Sequence, residues 1–128
     1  MLSRLPAVTS PAQPTLVVVE DDEHVRRALE RFLGSYGYVV RAFDSAEAWL
    51  ACIAPADCAI VDINLPGMSG FELDEQLRVN GHRIVTVFIT AHDETRACGP
   101  LPPRRLILQK PLDERRLLDA IERALRRD

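Results

Sequence analysis

Apolar residues fall into two rhythms along this chain, short unbroken runs and longer stretches with helical spacing. The unbroken runs are Leu16-Val17-Val18-Val19, Ala59-Ile60-Val61, Ile84-Val85-Thr86-Val87-Phe88-Ile89 and Leu106-Ile107-Leu108. Short runs of this kind, bounded by turn signals, predict strands buried on both faces. The strands expected are Thr15 to Val19, Tyr38 to Phe43, Asp57 to Val61, Arg83 to Ile89 and Arg105 to Gln109. Between them the period changes. From Glu23, the residues Val25, Ala28, Leu29, Phe32, Leu33 and Tyr36 recur at helical spacing, with Arg26, Arg27, Glu30 and Arg31 on the opposite side and Gly37 as a left-handed stop. Ser45 offers a cap for a short helix carrying Ala46, Trp49, Leu50 and Ile53, ended by Pro55. Ser69 caps the next, with Phe71, Leu73, Leu77 and Val79 as contacts and Gly81 near its end. Asp113 caps the last, whose stripe is Leu117, Leu118, Ile121, Ala124 and Leu125, with Arg126 and Arg127 where the helix dipole favours cations.

Strands alternating with helices predict a doubly wound α/β domain, because parallel neighbours require right-handed crossover connections. In such folds ligands gather outside the carboxyl ends of the strands. Four of the strands finish there on polar residues: Glu20 and Asp21 after the first, Asp62 after the third, Thr90 after the fourth, Lys110 after the fifth. A single aspartate followed by Pro66-Gly67 reads as an ordinary turn or cap residue. Four polar ends on one edge make the case for a site.

Composition narrows the classes. A chain of 128 residues with 47% hydrophobic content is long enough for one core and too apolar for a disordered body. A net charge of -3 gives no sequence-wide attraction to nucleic acid or anionic membrane, and no apolar run approaches the ~20 residues of a membrane span. Residues 1–14, with Pro6, Pro11 and Pro14 among small residues, read as a disordered leader without signal-peptide character; residues 15–128 read as the folded domain, and the expected location is cytoplasmic. Cys52, Cys58 and Cys98 lack metal-site spacing and are expected as small apolar core residues. His24, His82 and His92 are expected at the surface. Lys110 is the only lysine against 15 arginines, a position where a compact ammonium serves better than a planar fork.

Glu20, Asp21 and Asp62, once gathered, would repel one another unless a cation intervened. Oxygen-only ligands with open positions suit Mg²⁺, which prefers a phosphate as its further partner. With the Lys110 ammonium and the Thr90 hydroxyl the set describes a seat for a phosphoryl group, and a carboxylate can itself be the nucleophile, giving an aspartyl phosphate.

Val19-Glu20-Asp21-Asp22, Val61-Asp62-Ile63-Asn64-Leu65-Pro66-Gly67-Met68-Ser69-Gly70, Ile89-Thr90-Ala91 and Gln109-Lys110-Pro111 resemble, in order, the motifs of the response-regulator receiver domain, over residues 15–127. The resemblance implies a flavodoxin-like five-stranded parallel sheet of order 2-1-3-4-5. It implies that Asp62 takes a phosphoryl group from a histidine kinase or histidine phosphotransfer protein, and that Mg²⁺ is held by Asp21, Asp62 and the Asn64 backbone carbonyl with Glu20 assisting through water. It also implies that Thr90 and Lys110 hold the phosphoryl oxygens and that the Lys110-Pro111 bond is cis. Asp22 is left as a loop or cap residue.

Two departures stand out. Between Thr90 and Lys110, where the family usually has a full helix, Gly99, Pro100, Pro102 and Pro103 leave that helix shortened or absent. Ile107 occupies a position that often carries an aromatic. In that family both belong to the face that commonly carries dimerisation and output, so the signal is expected to leave by another surface, the first helix and the site loops; with no output domain read after Asp128, the expectation is a stand-alone receiver that acts on a separate, unidentified protein. The alternative is a phosphorylation-independent interaction module on the same fold. A phosphohydrolase is disfavoured, because the acid/base expected two positions after the nucleophile is here Asn64.

Overall fold

The structure is a computed structural model that describes residues 13–91 and 106–126. Its elements, in chain order, are β1 (Thr15–Val19), α1 (Glu23–Ser35), β2 (Val39–Phe43), α2 (Ala46–Cys52), β3 (Cys58–Asp62), α3 (Gly70–Val79), β4 (Val85–Thr90), β5 (Leu106–Gln109) and α4 (Glu114–Arg126). The strands form one parallel sheet in the order β2-β1-β3-β4-β5, the flavodoxin-like winding. The leader expected over 1–14 lies outside the described residues except for Gln13 and Pro14, and Pro14 already accepts a hydrogen bond from the Val39 amide. The shortened helix expected before the fifth strand, with His92 and Cys98, also lies outside them.

The strand residues divide by the two-residue period of a pleated strand. On one face Leu16, Val18, Cys58, Ile60, Val87 and Ile89 pack against Leu29 and Leu33 of α1 and Leu117, Ile121 and Ala124 of α4. On the other, Val17, Val19, Ala59, Val61 and Phe88 meet Ala46 and Trp49 of α2 and Leu73 and Leu77 of α3. Both faces of the central strands are therefore dry. That is why their sequences run apolar without alternation.

The caps follow local chemistry. Asp22 accepts from the His24 and Val25 amides, Ser45 from that of Ala48, Asp113 from that of Arg116, and Ser69 with Glu72 forms a reciprocal capping box. Gly37 and Gly81 take positive φ beyond α1 and α3. Some expectations needed correction. Helix α2 stops two residues before Pro55, at Ile53 in a left-handed conformation. Strand β3 includes Asp62 itself, and β4 includes Thr90. Among the described residues Cys52 is exposed on the last turn of α2 and Cys58 is the core thiol, because a side chain this small is cheap in either place. Tyr36 and Val79 are exposed rather than core-facing. Val79 lies two positions past Leu77, a rotation of about 200° at 3.6 residues per turn. Tyr36 lies beyond the end of its helix, with its ring edge against Phe32.

Candidate functional site

The register of the sheet fixes where the polar residues arrive. Val19 pairs with Val61 and Phe43, Asp62 with Ile89, and Thr90 with Gln109, so the four strand ends sit level at the carboxyl edge. Glu20 leaves β1 directly; its amide donates to Phe43 and its carbonyl accepts from the Arg26 guanidinium at 2.9 Å. That contact moves Arg26, expected on the solvent side of α1, partly into the site. Lys110 follows β5, its amide donating to the Thr90 carbonyl at 2.7 Å, and the Lys110-Pro111 bond is cis.

The side chains then converge. The Lys110 ammonium lies 3.1 Å from Asp62 Oδ2 and 3.1 Å from Glu20 Oε1. One oxygen each from Glu20, Asp21 and Asp62 fall within 4.8 Å of one another. Glu20 is fully buried and Asp62 nearly so, while Asp21 is exposed, so the cluster opens to solvent beside Asp21. Asp62 Oδ1 accepts from the Asn64 amide at 2.9 Å, which ties the loop after β3 to the carboxylate. Thr90 is buried, and its hydroxyl donates to the Ala91 carbonyl at 3.0 Å. Gly70 is required by contact: a Cβ there would come within 2.6 Å of the Asp62 carbonyl oxygen.

Electrostatics sharpen the picture. Burial pushes the Glu20 carboxyl up to about 7, helped by the neighbouring Asp62 charge and opposed by the Asp22 amide and Lys110. Desolvation works against the charge on Lys110, but its hydrogen bond to Asp62 and the charges of Glu20 and Asp62 outweigh it and hold the ammonium above its ordinary value. Glu20 Oε1 is buried and meets the Lys110 ammonium at 3.1 Å as an ion pair. Three carboxylates around a single ammonium, in an oxygen-only set open on one side, fit a hard divalent cation such as Mg²⁺.

Sequence reasoning passed over two features. Glu47, in the first turn of α2, reaches the Met68 amide, and Asp74 of α3 is buried with an oxygen 2.9 Å from the Thr86 hydroxyl of β4. The first carries no local signal, since a glutamate in a first helical turn is ordinary. The second was visible only as a polar residue on an otherwise apolar face. Of the histidines, His24 is exposed and His82 half-buried; Ile107 is half-buried against the α2/α3 side of the core. Among the described residues, no helix is long and apolar enough to cross a membrane.

Known proteins agree with this architecture. Nodulation protein W of Bradyrhizobium diazoefficiens is 38% identical over 120 residues, covering 87% of this chain and 51% of that protein. The transcriptional regulatory protein FixJ of Azorhizobium caulinodans is 31% identical over 118 residues, covering 86% and 54%. The chain thus spans about half the length of the curated relatives it matches. Among solved structures, response regulator StyR superposes with a TM-score of 0.79 at 41% identity, covering 90% of this chain and 60% of that one. A response regulator receiver protein from Burkholderia phymatum gives 0.76 at 31% identity, covering 88% and 95%. The model of the response regulator receiver domain matches residues 16–122, from β1 into α4. On that match the chain belongs to the response regulator receiver domain family, whose members are phosphoacceptors of two-component signalling.

Proposed function

We propose that Asp62 is the phosphoacceptor, and that residues 15–128 act as a receiver that takes a phosphoryl group from a histidine kinase or histidine phosphotransfer protein. The observation that carries this is the Lys110 ammonium held 3.1 Å from an oxygen of Asp62 beside a second and third carboxylate. An Asp62 oxygen attacks phosphorus and the P–N bond of the phosphohistidine breaks. Its electron pair returns to the imidazole, which leaves neutral when its other ring nitrogen carries the proton. Lys110 moves from carboxylate to phosphoryl oxygens as charge shifts outward, and the Thr90 hydroxyl turns from Ala91 to donate to one of them. Asp21, Asp62 and the Asn64 carbonyl would hold Mg²⁺, with Glu20 behind them through water. Bound there, the ion neutralises the charge that otherwise repels an incoming phosphoryl group. Water later attacks phosphorus and releases inorganic phosphate, restoring the Asp62 carboxylate, so turnover is self-limiting rather than metabolic.

Phosphoramidate, a small donor with the same P–N bond, tests this without a partner kinase. In the presence of Mg²⁺ the wild type gains the mass of one phosphoryl group, Asp62→Asn gains none, and chelation of the metal abolishes uptake. A wild type that gains nothing at saturating donor and Mg²⁺ would favour an interaction module that works without phosphorylation.

A further inference from the structure

The loop from Ile63 to Ser69 joins the acceptor strand to α3 and carries Asn64. Local contacts tie it at both ends. The Asn64 amide donates to Asp62, and the Gly70 amide donates to the Ile63 carbonyl next to the Ser69 capping box. Its outer turn, Pro66-Gly67-Met68, is held from a different element. Glu47 of α2, 21 residues earlier, accepts the Met68 amide at 3.0 Å through Oε2. The left-handed turn itself calls for glycine. Gly67 has φ +78, and a Cβ there would lie 2.7 Å from the same Glu47 oxygen. The Met68 amide also holds the Glu47 carboxyl below its usual range, so the contact joins a charge to a backbone dipole. On the inner side of the loop, Leu65 is buried with Ala46 and Trp49 of the same helix.

We propose that Glu47 is a positioning residue: from α2 it fixes the turn after Asn64, and through that turn the loop that faces the phosphoacceptor. This rests on the reading of Asp62 and its neighbours as a Mg²⁺-dependent phosphoacceptor site. Glu47 touches neither ion nor phosphoryl group. Its carboxylate sets the path of residues 64–68, so the Asn64 carbonyl is presented to the metal site without a conformational search at the moment of binding.

Three substitutions separate geometry from charge. Glu47→Gln keeps an acceptor oxygen at the same reach and drops the charge. Glu47→Asp keeps the charge and is one methylene too short. Glu47→Ala removes both. Calorimetric titration with Mg²⁺ is expected to give the weakest binding for Asp and Ala, about two- to fivefold below wild type, the scale of one exposed hydrogen bond, with Gln closer to wild type than to Ala. In metal-free protein the Met68 amide is expected to exchange with solvent faster in the Asp and Ala variants than in wild type or Gln. Equal affinity in wild type and Ala overturns the proposal, as does a Gln variant as weak as Ala, which would mark Glu47 as a remote charge. Should Ala fail to fold, the Asp and Gln variants separate the same two outcomes. A wild type that binds no Mg²⁺ overturns both the metal-site reading and this role, whereas normal Mg²⁺ binding in wild type with an unaffected Asp variant overturns only the role of Glu47.

Discussion

Lys110 is the residue that the proposed phosphoryl transfer would displace furthest. In the resting arrangement its ammonium lies between Glu20 and Asp62, 3.1 Å from an oxygen of each. It therefore occupies part of the negative field that a divalent cation would use. Lys110→Ala is expected to have opposite effects on two measurements. Mg²⁺ should bind more tightly, because a competing cation is gone. Phosphoryl uptake from phosphoramidate should slow on the order of 100-fold, because a positioned charge no longer meets the phosphoryl oxygens. Calorimetry and intact-mass kinetics read the two separately; unchanged uptake would remove Lys110 from the chemistry. The bias of the composition, one lysine among 15 arginines, pointed to this position, but only the distances give it two partners. Glu47 and Arg26 show the opposite case. Their types and spacing are those of any helical surface, and their roles come from what lies across from them.

Among the elements, helix ends were legible because caps are local. The group that satisfies an orphan amide sits two or three residues from it, so Ser45, Ser69 and Asp113 announce themselves, while Asp22, left open between loop and cap, proves to be the cap of α1. The capping box of α3 matters beyond the helix, since it ends the loop that begins at Asp62. Ser69→Ala is expected to lower stability by about 1 kcal/mol, measured by urea unfolding, and to weaken protection of the Glu72 amide. A loss confined to the loop with no change in global stability would mean that α3 is fixed by Leu73 and Leu77 alone. The elements misjudged from sequence were those whose limits depend on neighbours. Helix α2 ends at Ile53, where the Trp49 ring nitrogen donates to the Ala54 carbonyl at 2.9 Å, and not at the proline that follows. Asp62 and Thr90 belong to their strands because β4 and β5 extend far enough to pair with them. Strand pairing is a property of two segments, and neither sequence alone contains it.

For the whole molecule, burial of Glu20 couples protonation, metal binding and stability. Its carboxyl is raised from 4.5 to about 7 in the folded protein, first by desolvation. The native state thus holds a proton that the unfolded state releases between those values. The stabilising contribution is complete below 4.5 and is lost as pH rises through about 7. The Lys110 shift acts in the same sense but above the ordinary lysine range, outside this window. In chelator, wild type is therefore expected to lose stability relative to Glu20→Gln between about pH 5 and pH 8. Mg²⁺ affinity of the wild type should rise over the same interval, as the Glu20 carboxyl behind the site gives up its proton. Urea unfolding of both proteins at the two pH values, with and without Mg²⁺, checks the sign. A stability difference that does not change with pH would mean that Glu20 is already ionised in the metal-free fold.

The sequence by itself determined the alternation of strands and helices, the caps at Ser45, Ser69 and Asp113, and the identities of the residues at the strand ends; the order of the strands came only with the resemblance to a family. Those depend on periodicity and on contacts a few residues apart, which the order of residues encodes directly. Only the tertiary structure decided that Glu20 is fully buried, that Lys110 bridges two carboxylates, and that Glu47 clasps a turn 21 residues away. The reason is physical: desolvation and ion pairing depend on distances between segments far apart in the chain, and those distances exist only once the sheet has brought its strand ends level.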